Sequence, residues 1–235
     1  MLFDLDDTLF DHRHAARAAL SVVHAEHACF QRWPLDEFEG VHARLLEDLH
    51  ARVIAGSLGI DEARTERFRR LFAAAGVEGD AAPLTSTTTR YRAAYLEARR
   101  PVDGALALLE ALAPRVRIGI VSNNLVEEQR DKLKLCGFSP YVDALVVSED
   151  AGVSKPNPEI FAIALRRLEC EAADAVMIGD SWAADIEGAR AARIRAIWFN
   201  PAGRPIPERA EPAAVLAAFD PIGPALEAIF PCVLA

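Results

Sequence analysis

The chain has 235 residues, of which 51% are hydrophobic and 26% charged, and its net charge is -9. This composition is typical of a globular protein with one large or two small domains and a sizeable core, and it excludes a disordered chain. The negative charge argues against nucleic acid or an anionic membrane as a partner, because both require a basic surface. Small anionic substrates remain possible, since a local lysine and a metal ion override the overall sign.

The cysteines and the first residues bear on the cellular compartment. The four cysteines are dispersed and form no Cys-x-x-Cys pair, which favours free thiols over a zinc site or a disulfide framework. They are Cys29, Cys136, Cys170 and Cys232. No apolar run approaches the ~20 residues of a membrane span, and the start carries acids where a signal peptide carries a basic flank. We therefore predict a cytoplasmic protein, as a monomer or a homodimer, with no membrane partner.

The first stretch that contains candidate functional residues is residues 1–9, Met-Leu-Phe-Asp-Leu-Asp-Asp-Thr-Leu. Its apolar start runs directly into Asp4, as in a buried strand that delivers an acid to the C-terminal edge of an α/β sheet, where such sheets bind ligands. Asp4, Asp6 and Asp7 place three carboxylates in four positions, so they require a compensating cation or a dense hydrogen-bond network. A metal ion is the simpler explanation. An acidic turn after a strand is the alternative that these residues alone leave open.

The next ninety residues have the periodicity of helices. Apolar residues recur at intervals of three and four, and glycines and prolines separate the segments. The predicted helices are residues 13–29, 35–55, 60–75 and 85–99. Four helices of this length with short loops predict an antiparallel bundle.

From residue 101 onward, predicted helices and strands alternate. The helices are 104–113, 126–135, 158–168 and 183–191, and the strands are 116–121, 144–147, 175–178 and 195–199. This alternation predicts right-handed crossovers and a parallel sheet. In the tail, residues 213–219 and 223–230 are predicted as a covering helix and a final short helix.

Four motifs that contain polar or charged residues in a strand or loop context occur in order along the chain. The first is the Asp-x-Asp-x-Thr pattern, and the second is an apolar strand that ends in Ser-Asn. The third is Ser-Lys-Pro-Asn-Pro-Glu-Ile-Phe, and the fourth is Val-Met-Ile-Gly-Asp-Ser with a further acid downstream. Their key residues are Asp4, Asp6, Thr8, Ser122, Asn123, Lys155, Asp180 and Asp185. Together, the four motifs resemble the signatures of the haloacid dehalogenase-like hydrolase superfamily.

This resemblance implies an α/β fold with a Rossmann-like parallel-sheet core domain, residues 1–10 and 100–235, and an inserted α-helical bundle cap domain, residues 11–99. The run 148–156 and the pattern of the cap look similar to the branch that includes pyrimidine 5′-nucleotidases and acylneuraminate 9-phosphatases. Only three residues precede Asp4, fewer than the family's first strand usually has. We therefore expect a chain start that is truncated or misassigned.

The resemblance also implies a magnesium-dependent phosphate monoester hydrolase that forms an aspartyl-phosphate. Its substrate would be a small phosphorylated metabolite, either a nucleotide or a sugar phosphate. Asp4 would be the nucleophile, and Asp6 would protonate the leaving group and then deprotonate the water. Mg²⁺ would be held by the Asp4 carboxylate, the Asp6 backbone carbonyl and Asp180, with Asp185 supporting them.

The remaining motif residues are implied to bind the phosphoryl group. Ser122 and the backbone N–H of Asn123 would bind its oxygens, while Lys155 would offset the charge of the phosphate and of Asp4. Within the superfamily, dehalogenases lack an acid two residues after the nucleophile, and phosphonatases carry alanine there. Asp6 therefore favours hydrolysis of phosphate monoesters or phosphomutase chemistry.

Each of these residues also has a structural explanation. Asp180 and Asp185 fit the cap of a helix, and Ser122 with Asn123 fits a strand-to-helix cap. Lys155 fits a solvated loop. One active site explains all of them together. A phosphomutase with the same nucleophile and a non-catalytic phosphate-binding regulatory protein remain the alternative functions.

Overall fold

The computed structural model describes residues 1–77, 83–207 and 212–231. The chain folds as two compact units. Met1–Asp11 together with Arg100–Ala235 form one unit, called the sheet unit below. His12–Arg99 form the other, called the helical unit, so the chain leaves the sheet unit once and returns to it.

The helical unit consists of long helices that pack mainly α1 on α4 and α2 on α3. These helices are α1 (His12–Glu26), α2 (Leu35–Ile54), α3 (Ile60–Ala74) and α4 (Leu84–Glu97). Pro34 immediately precedes α2, where its missing N–H costs no intrahelical hydrogen bond, and Gly76 follows α3 with a φ of 79°, which glycine adopts without strain. Phe30 packs against Phe38 and Phe72 with ring centroids 4.8 and 4.6 Å apart, so aromatic rings fill much of this unit's core.

Within the described residues, the sheet unit contains one six-stranded parallel sheet with the order β3-β2-β1-β4-β5-β6. The strands are β1 (Leu2–Phe3), β2 (Gly119–Ser122), β3 (Ala144–Val147), β4 (Val176–Gly179), β5 (Arg195–Phe199) and β6 (Ala214–Leu216). The central strand is β1, where Leu2 pairs with Gly119 on one side and Met177 on the other. The strand order reverses at β1, and open α/β sheets bind ligands beyond the strand ends at such a point.

The helices of the sheet unit follow its strands in alternation. They are α5 (Ala105–Leu112), α6 (Val126–Leu135), α7 (Ser148–Ala151), α8 (Pro158–Arg167), α9 (Gly188–Ala191) and α10 (Ile222–Ile229). Ile160, Phe161, Ala164 and Leu165 form the buried face of α8 and join the sheet residues in one apolar core. The predicted α/β fold with a parallel sheet is therefore confirmed.

Two predicted elements differ from the structure. Residues 213–219 are predicted as a helix, but Ala214–Leu216 form strand β6, in which Ala214 pairs with Ile197. Pairing with β5 satisfies the backbone here, and this tertiary interaction outweighs the helix propensity of the alanines. The helix predicted at 183–191 begins instead as a π-helical turn, Trp182–Glu187, and continues as α9.

The remaining predictions concern thiols and membranes. Cys29, Cys136 and Cys170 are present as thiols, while Cys232 lies outside the described residues. Across the described ranges, every helix is too short or too polar to cross a bilayer.

Candidate active site

Asp4 lies immediately after β1, and the loop that follows holds its carboxylate. The backbone N–H of Asp4 donates to the carbonyl of Ile178 (2.9 Å), which continues the pairing of β1 with β4. Thr8 donates from its hydroxyl to Asp4 Oδ2 (3.1 Å) and accepts from the backbone N–H of Asp180 (3.0 Å). The first and fourth motifs are therefore joined through one buried hydroxyl group.

Lys155 connects two acids that are far apart in sequence. Its Nζ donates to Asp4 Oδ1 (2.6 Å) and to Asp185 Oδ1 (2.7 Å), and the residue is only 6% exposed. Asn123 holds the backbone of Lys155, because its side chain accepts from the Lys155 N–H (2.7 Å) and donates to the Lys155 carbonyl (2.8 Å). The second motif thereby fixes the lysine of the third.

Asp185 lies in the π-helical turn, a feature that often occurs at functional sites. Its Oδ2 accepts from the backbone N–H of Ser181 (2.9 Å). The backbone of Gly179 lies so close that a Cβ atom there would be 2.3 Å from Asp185 Oδ2. Glycine at the end of β4 is thus the residue that leaves room for this carboxylate.

Three buried carboxylates form a cluster that fits a hard divalent cation. Asp4, Asp180 and Asp185 each offer one oxygen, and these oxygens lie within 4.8 Å of one another. Burial raises the pKa of Asp4 to about 7, with Lys155 lowering it and Asp185 raising it. Burial also raises the pKa of Asp185. The single positive charge of Lys155 does not balance three carboxylates. Carboxylate oxygens are the ligands that Mg²⁺ and Ca²⁺ prefer.

Burial and the neighbouring acids have opposite effects on the pKa of Lys155. Burial disfavours its charge, but the nearby Asp185 and Asp4 more than compensate, so the pKa of Lys155 lies above its ordinary value. The ammonium group is therefore charged at neutral pH, as a group that offsets the charge of a bound phosphate must be.

The Asp6 carboxylate lies apart from this cluster, against α6. Its Oδ1 accepts from Lys132 Nζ (2.6 Å), and its Oδ2 accepts from Gln129 Nε2 (2.9 Å) and Asn124 Nδ2 (3.1 Å). Ser122, at the end of β2, is buried, and its Oγ accepts from the same Gln129 amide (2.6 Å). Gln129 thus links the predicted acid–base residue to the predicted phosphate-binding serine.

Sequence reasoning missed five residues that hold the predicted ones in place. They are Asn124, Gln129, Lys132, Trp198 and Arg204. Trp198 Nε1 donates to the backbone carbonyl of Asp180 (2.9 Å), and Arg204 Nη2 donates to the same carbonyl (2.6 Å). The spacing of Gln129 and Lys132 on one helix face was the only sequence signal, and polar residues on a helix usually indicate a solvated surface.

A comparison with known protein families shows to which family this chain belongs. The sequence profile of the haloacid dehalogenase-like hydrolases matches residues 1–193. The chain belongs to this family. The four motifs that suggested the resemblance all lie within the matched range, and the structure brings Asp4, Lys155, Asp180 and Asp185 into one cluster.

The haloacid dehalogenase-like relatives include hydrolases of more than one kind. The HAD-hydrolase YfnB of Bacillus subtilis is 31% identical over 211 residues, which cover 88% of this chain and 87% of YfnB. A crystal structure of YfnB bound to magnesium has a TM-score of 0.73 at 29% identity and covers 96% of each chain. Pyrimidine 5′-nucleotidase PynA of Streptococcus pneumoniae is 31% identical over 86% of this chain and 83% of its own. The 2-haloacid dehalogenase of Pseudomonas syringae has a TM-score of 0.61 at 27% identity over 96% of each chain.

These findings confirm the resemblance predicted from the motifs. Pyrimidine 5′-nucleotidases and an N-acylneuraminate-9-phosphatase, of Mus musculus, are among the relatives of this haloacid dehalogenase-like chain. The protein is an enzyme of the hydrolase class, and its phosphatase relatives support phosphatase activity.

Proposed function

We propose that this haloacid dehalogenase-like hydrolase is a magnesium-dependent phosphatase that cleaves the monoester of a small phosphorylated metabolite, a nucleotide or a sugar phosphate. The observation that carries the proposal is the bridge from Lys155 to Asp4 and Asp185. A candidate nucleophile, a fixed cation and metal-binding acids thus share one buried cluster at the C-terminal edge of the sheet. Structural capping alone gives no reason for this combination.

Asp4, Asp180 and Asp185 are the proposed holders of Mg²⁺, with the backbone carbonyl of Asp6 as a further oxygen donor. When bound, the ion supplies Lewis-acid polarisation of the phosphoryl group and screens its repulsion from Asp4. The donor set is all oxygen, as magnesium requires.

In the first half-reaction, one carboxylate oxygen of Asp4 attacks phosphorus, and the bond from phosphorus to the ester oxygen breaks. Lys155 and Thr8 each hold one oxygen of this carboxylate, so the nucleophile is oriented before substrate arrives. Because Ser122 Oγ accepts from Gln129, its own hydrogen is available for a phosphoryl oxygen. The backbone N–H of Asn123 is the second proposed donor.

Asp6 moves the protons. It protonates the leaving alkoxide, and in the second half-reaction it takes a proton from the water that attacks the aspartyl-phosphate. The three donors from Lys132, Gln129 and Asn124 fix this carboxylate in position before it accepts or donates a proton. We expect its contact with Lys132 to be broken when Asp6 instead donates one.

Asp6 also favours phosphatase over dehalogenase chemistry. A dehalogenase has a carbon-bound halide as leaving group and needs no acid there, whereas an alkoxide leaving group does. The phosphatases among the relatives support the same choice. We further propose that residues 11–99 act as the family's cap and set substrate preference.

A phosphate-release screen with added magnesium tests this function. The substrates are nucleoside monophosphates, sugar phosphates and small phosphorylated acids, and the controls are excess chelator and the Asp4→Asn variant. We expect turnover of at least one substrate that both controls abolish. Full activity in chelator or in Asp4→Asn contradicts the proposal, while conversion of a sugar phosphate to its isomer without phosphate release indicates a phosphomutase.

A further inference from the structure

The helical unit contains a buried arginine for which the described residues provide no counter-ion. Arg67 on α3 is 8% exposed, and its Nε is buried without a hydrogen-bond partner. Within the described part of the chain no carboxylate lies within ion-pair distance of it, and the charges that act on it include those of Arg64 and Arg92. Burial is the largest effect and lowers the pKa of Arg67, and the nearby Tyr91 opposes it only in part.

A buried histidine with an unsatisfied nitrogen lies in the same core. His42 on α2 is 2% exposed and packs against the rings of Phe68 (6.2 Å) and Tyr91 (5.3 Å). Its Nε2 is buried without a hydrogen-bond partner. Arg67 lies over the same two rings, with its guanidinium carbon 5.5 and 5.0 Å from their centroids. Two polar groups from different helices thus meet around one pair of aromatic rings.

Stacking on the rings does not provide acceptors for the N–H groups of Arg67. Cation–π contact uses the face of the guanidinium, whereas its five N–H donors point outward in the plane of the group. A buried charge is retained in folded proteins when it is paired, because desolvation without a partner costs more than stacking returns. The N–H edge of Arg67 can therefore receive an acceptor that the described residues do not supply.

There is space for an acceptor atom beside this side chain. Arg67 lines a cavity of about 20 Å³ between α2 and α3. His50 and Arg64 contribute the other polar walls, and the remaining lining residues are aliphatic: Leu46, Leu49, Val53, Ile60 and Ala63. A cavity of this size accommodates one oxygen-sized group, and its polar lining is basic.

We propose that the helical unit has an anion site at Arg67 that binds the oxygen edge of a small oxyanion, either a carboxylate or a phosphate group. The guanidinium N–H groups form charge-assisted hydrogen bonds with the oxygens of either group, one of which occupies the cavity. The anion is either a free ion or part of a metabolite. All of the residues involved lie in the helical unit, and none of them has a role in the phosphatase chemistry proposed for the sheet unit.

The direct test is an NMR titration of the full-length, metal-free protein labelled with ¹⁵N. Inorganic phosphate and acetate are added in separate experiments at constant ionic strength, with chloride as the reference. We expect saturable movement of one arginine Nε–Hε signal, identified as Arg67 by its absence from Arg67→Lys. Movement with phosphate alone, with acetate alone or with both supports the site and defines its preference.

Matched variants give the second readout. Arg67→Met and Arg69→Met each remove one charge from α3, but Arg69 is exposed and paired with Glu66. Thermal unfolding of wild type and Arg69→Met should shift upward with the anion, whereas Arg67→Met should shift less, keeping only the part that phosphate bound at the proposed active site contributes. An Arg67 signal that neither anion moves saturably, or equal shifts in the two variants, overturns the proposal. Shifts confined to signals of the sheet unit also count against it.

Discussion

Asp6 is a single residue whose chemistry separates the reactions open to this site. Its replacement by asparagine keeps the shape and the backbone carbonyl but removes the titrating proton. We expect Asp6→Asn to lower turnover of alkyl phosphates by roughly 10²–10⁴, and to affect nitrophenyl phosphate less because that leaving group needs little protonation. Steady-state rates with both substrates measure the difference.

The neighbouring Asp7 provides a matched control. It adopts a φ of 61°, which asparagine tolerates well, so Asp7→Asn should stay near wild-type activity. If Asp6→Asn turned over an alkyl phosphate at the wild-type rate, the acid–base role of Asp6 would be wrong.

At the residue scale, the sequence identified the acids and Lys155 because each belongs to a motif with a strand or loop context. It did not reveal Lys132 or Arg204, because a lysine on a helix and an arginine in a loop usually face solvent. Their contacts with Asp6 and Asp180 depend on strand order, which brings together segments more than twenty residues apart. The roles assigned to the motif residues remain predictions.

At the scale of the elements, the end of β4 and the π-helical turn pack so closely that one added methyl group should disrupt the site. In Gly179→Ala, the new Cβ would lie 2.3 Å from Asp185 Oδ2. We expect Asp185 to be displaced from Lys155, with weaker Mg²⁺ binding by calorimetry and little catalytic activity. Gly223→Ala in α10 is the control, since no atom lies within 4 Å of its added Cβ. Unchanged Mg²⁺ affinity in Gly179→Ala would exclude a role for Asp185 in holding the metal.

The elements also show where periodicity suffices for prediction. The bounds predicted for α6, β3 and β5 agree with the structure, because their patterns are bounded by clear turns. Strand β6 was missed, since three residues at a sheet edge carry no periodic signal and owe their conformation to β5. The π-helical turn was predicted as ordinary α-helix, because amino-acid composition does not distinguish a turn with an extra residue from a normal one.

The buried histidine in α2 makes the helical unit sensitive to acid. Burial, followed by the charges of Arg67 and His12, lowers the pKa of His42 well below its ordinary value, while Tyr91 also packs on the ring. The unfolded chain therefore binds a proton below about pH 6.5 that the folded unit does not, and stability falls by up to ~1.4 kcal/mol per pH unit as pH decreases.

Hydrogen exchange of the α2 amides between pH 7 and pH 5, corrected for intrinsic rates, measures this loss. We expect a smaller pH dependence in His42→Leu, where the buried titrating group is gone. His14→Leu, which removes an exposed imidazole, is the matched control. Identical slopes in wild type and His42→Leu would show that His42 is not the group responsible.

At the scale of the whole molecule, the two units have separate cores, and the chain passes between them at Asp11–His12 and Arg99–Arg100. Replacing residues 12–99 by a short linker should therefore leave a folded sheet unit that binds Mg²⁺. If residues 11–99 are the cap, the shortened protein should lose its ranking of substrates in the phosphate-release screen, because a cap contacts the leaving group and excludes water. An unchanged ranking would assign substrate preference to the sheet unit.

The most direct test of the proposed chemistry asks whether Asp4 carries the phosphoryl group during turnover. Asp6→Asn, in which hydrolysis of the intermediate should be slow, is mixed with nitrophenyl phosphate and Mg²⁺, quenched in acid and analysed by mass spectrometry. We expect the mass of one phosphoryl group on the peptide of residues 1–13, located at Asp4 by fragmentation and absent from the Asp4→Asn, Asp6→Asn double variant. A phosphoryl group on another residue, or product release with no adduct at any time point, would contradict Asp4 as the nucleophile.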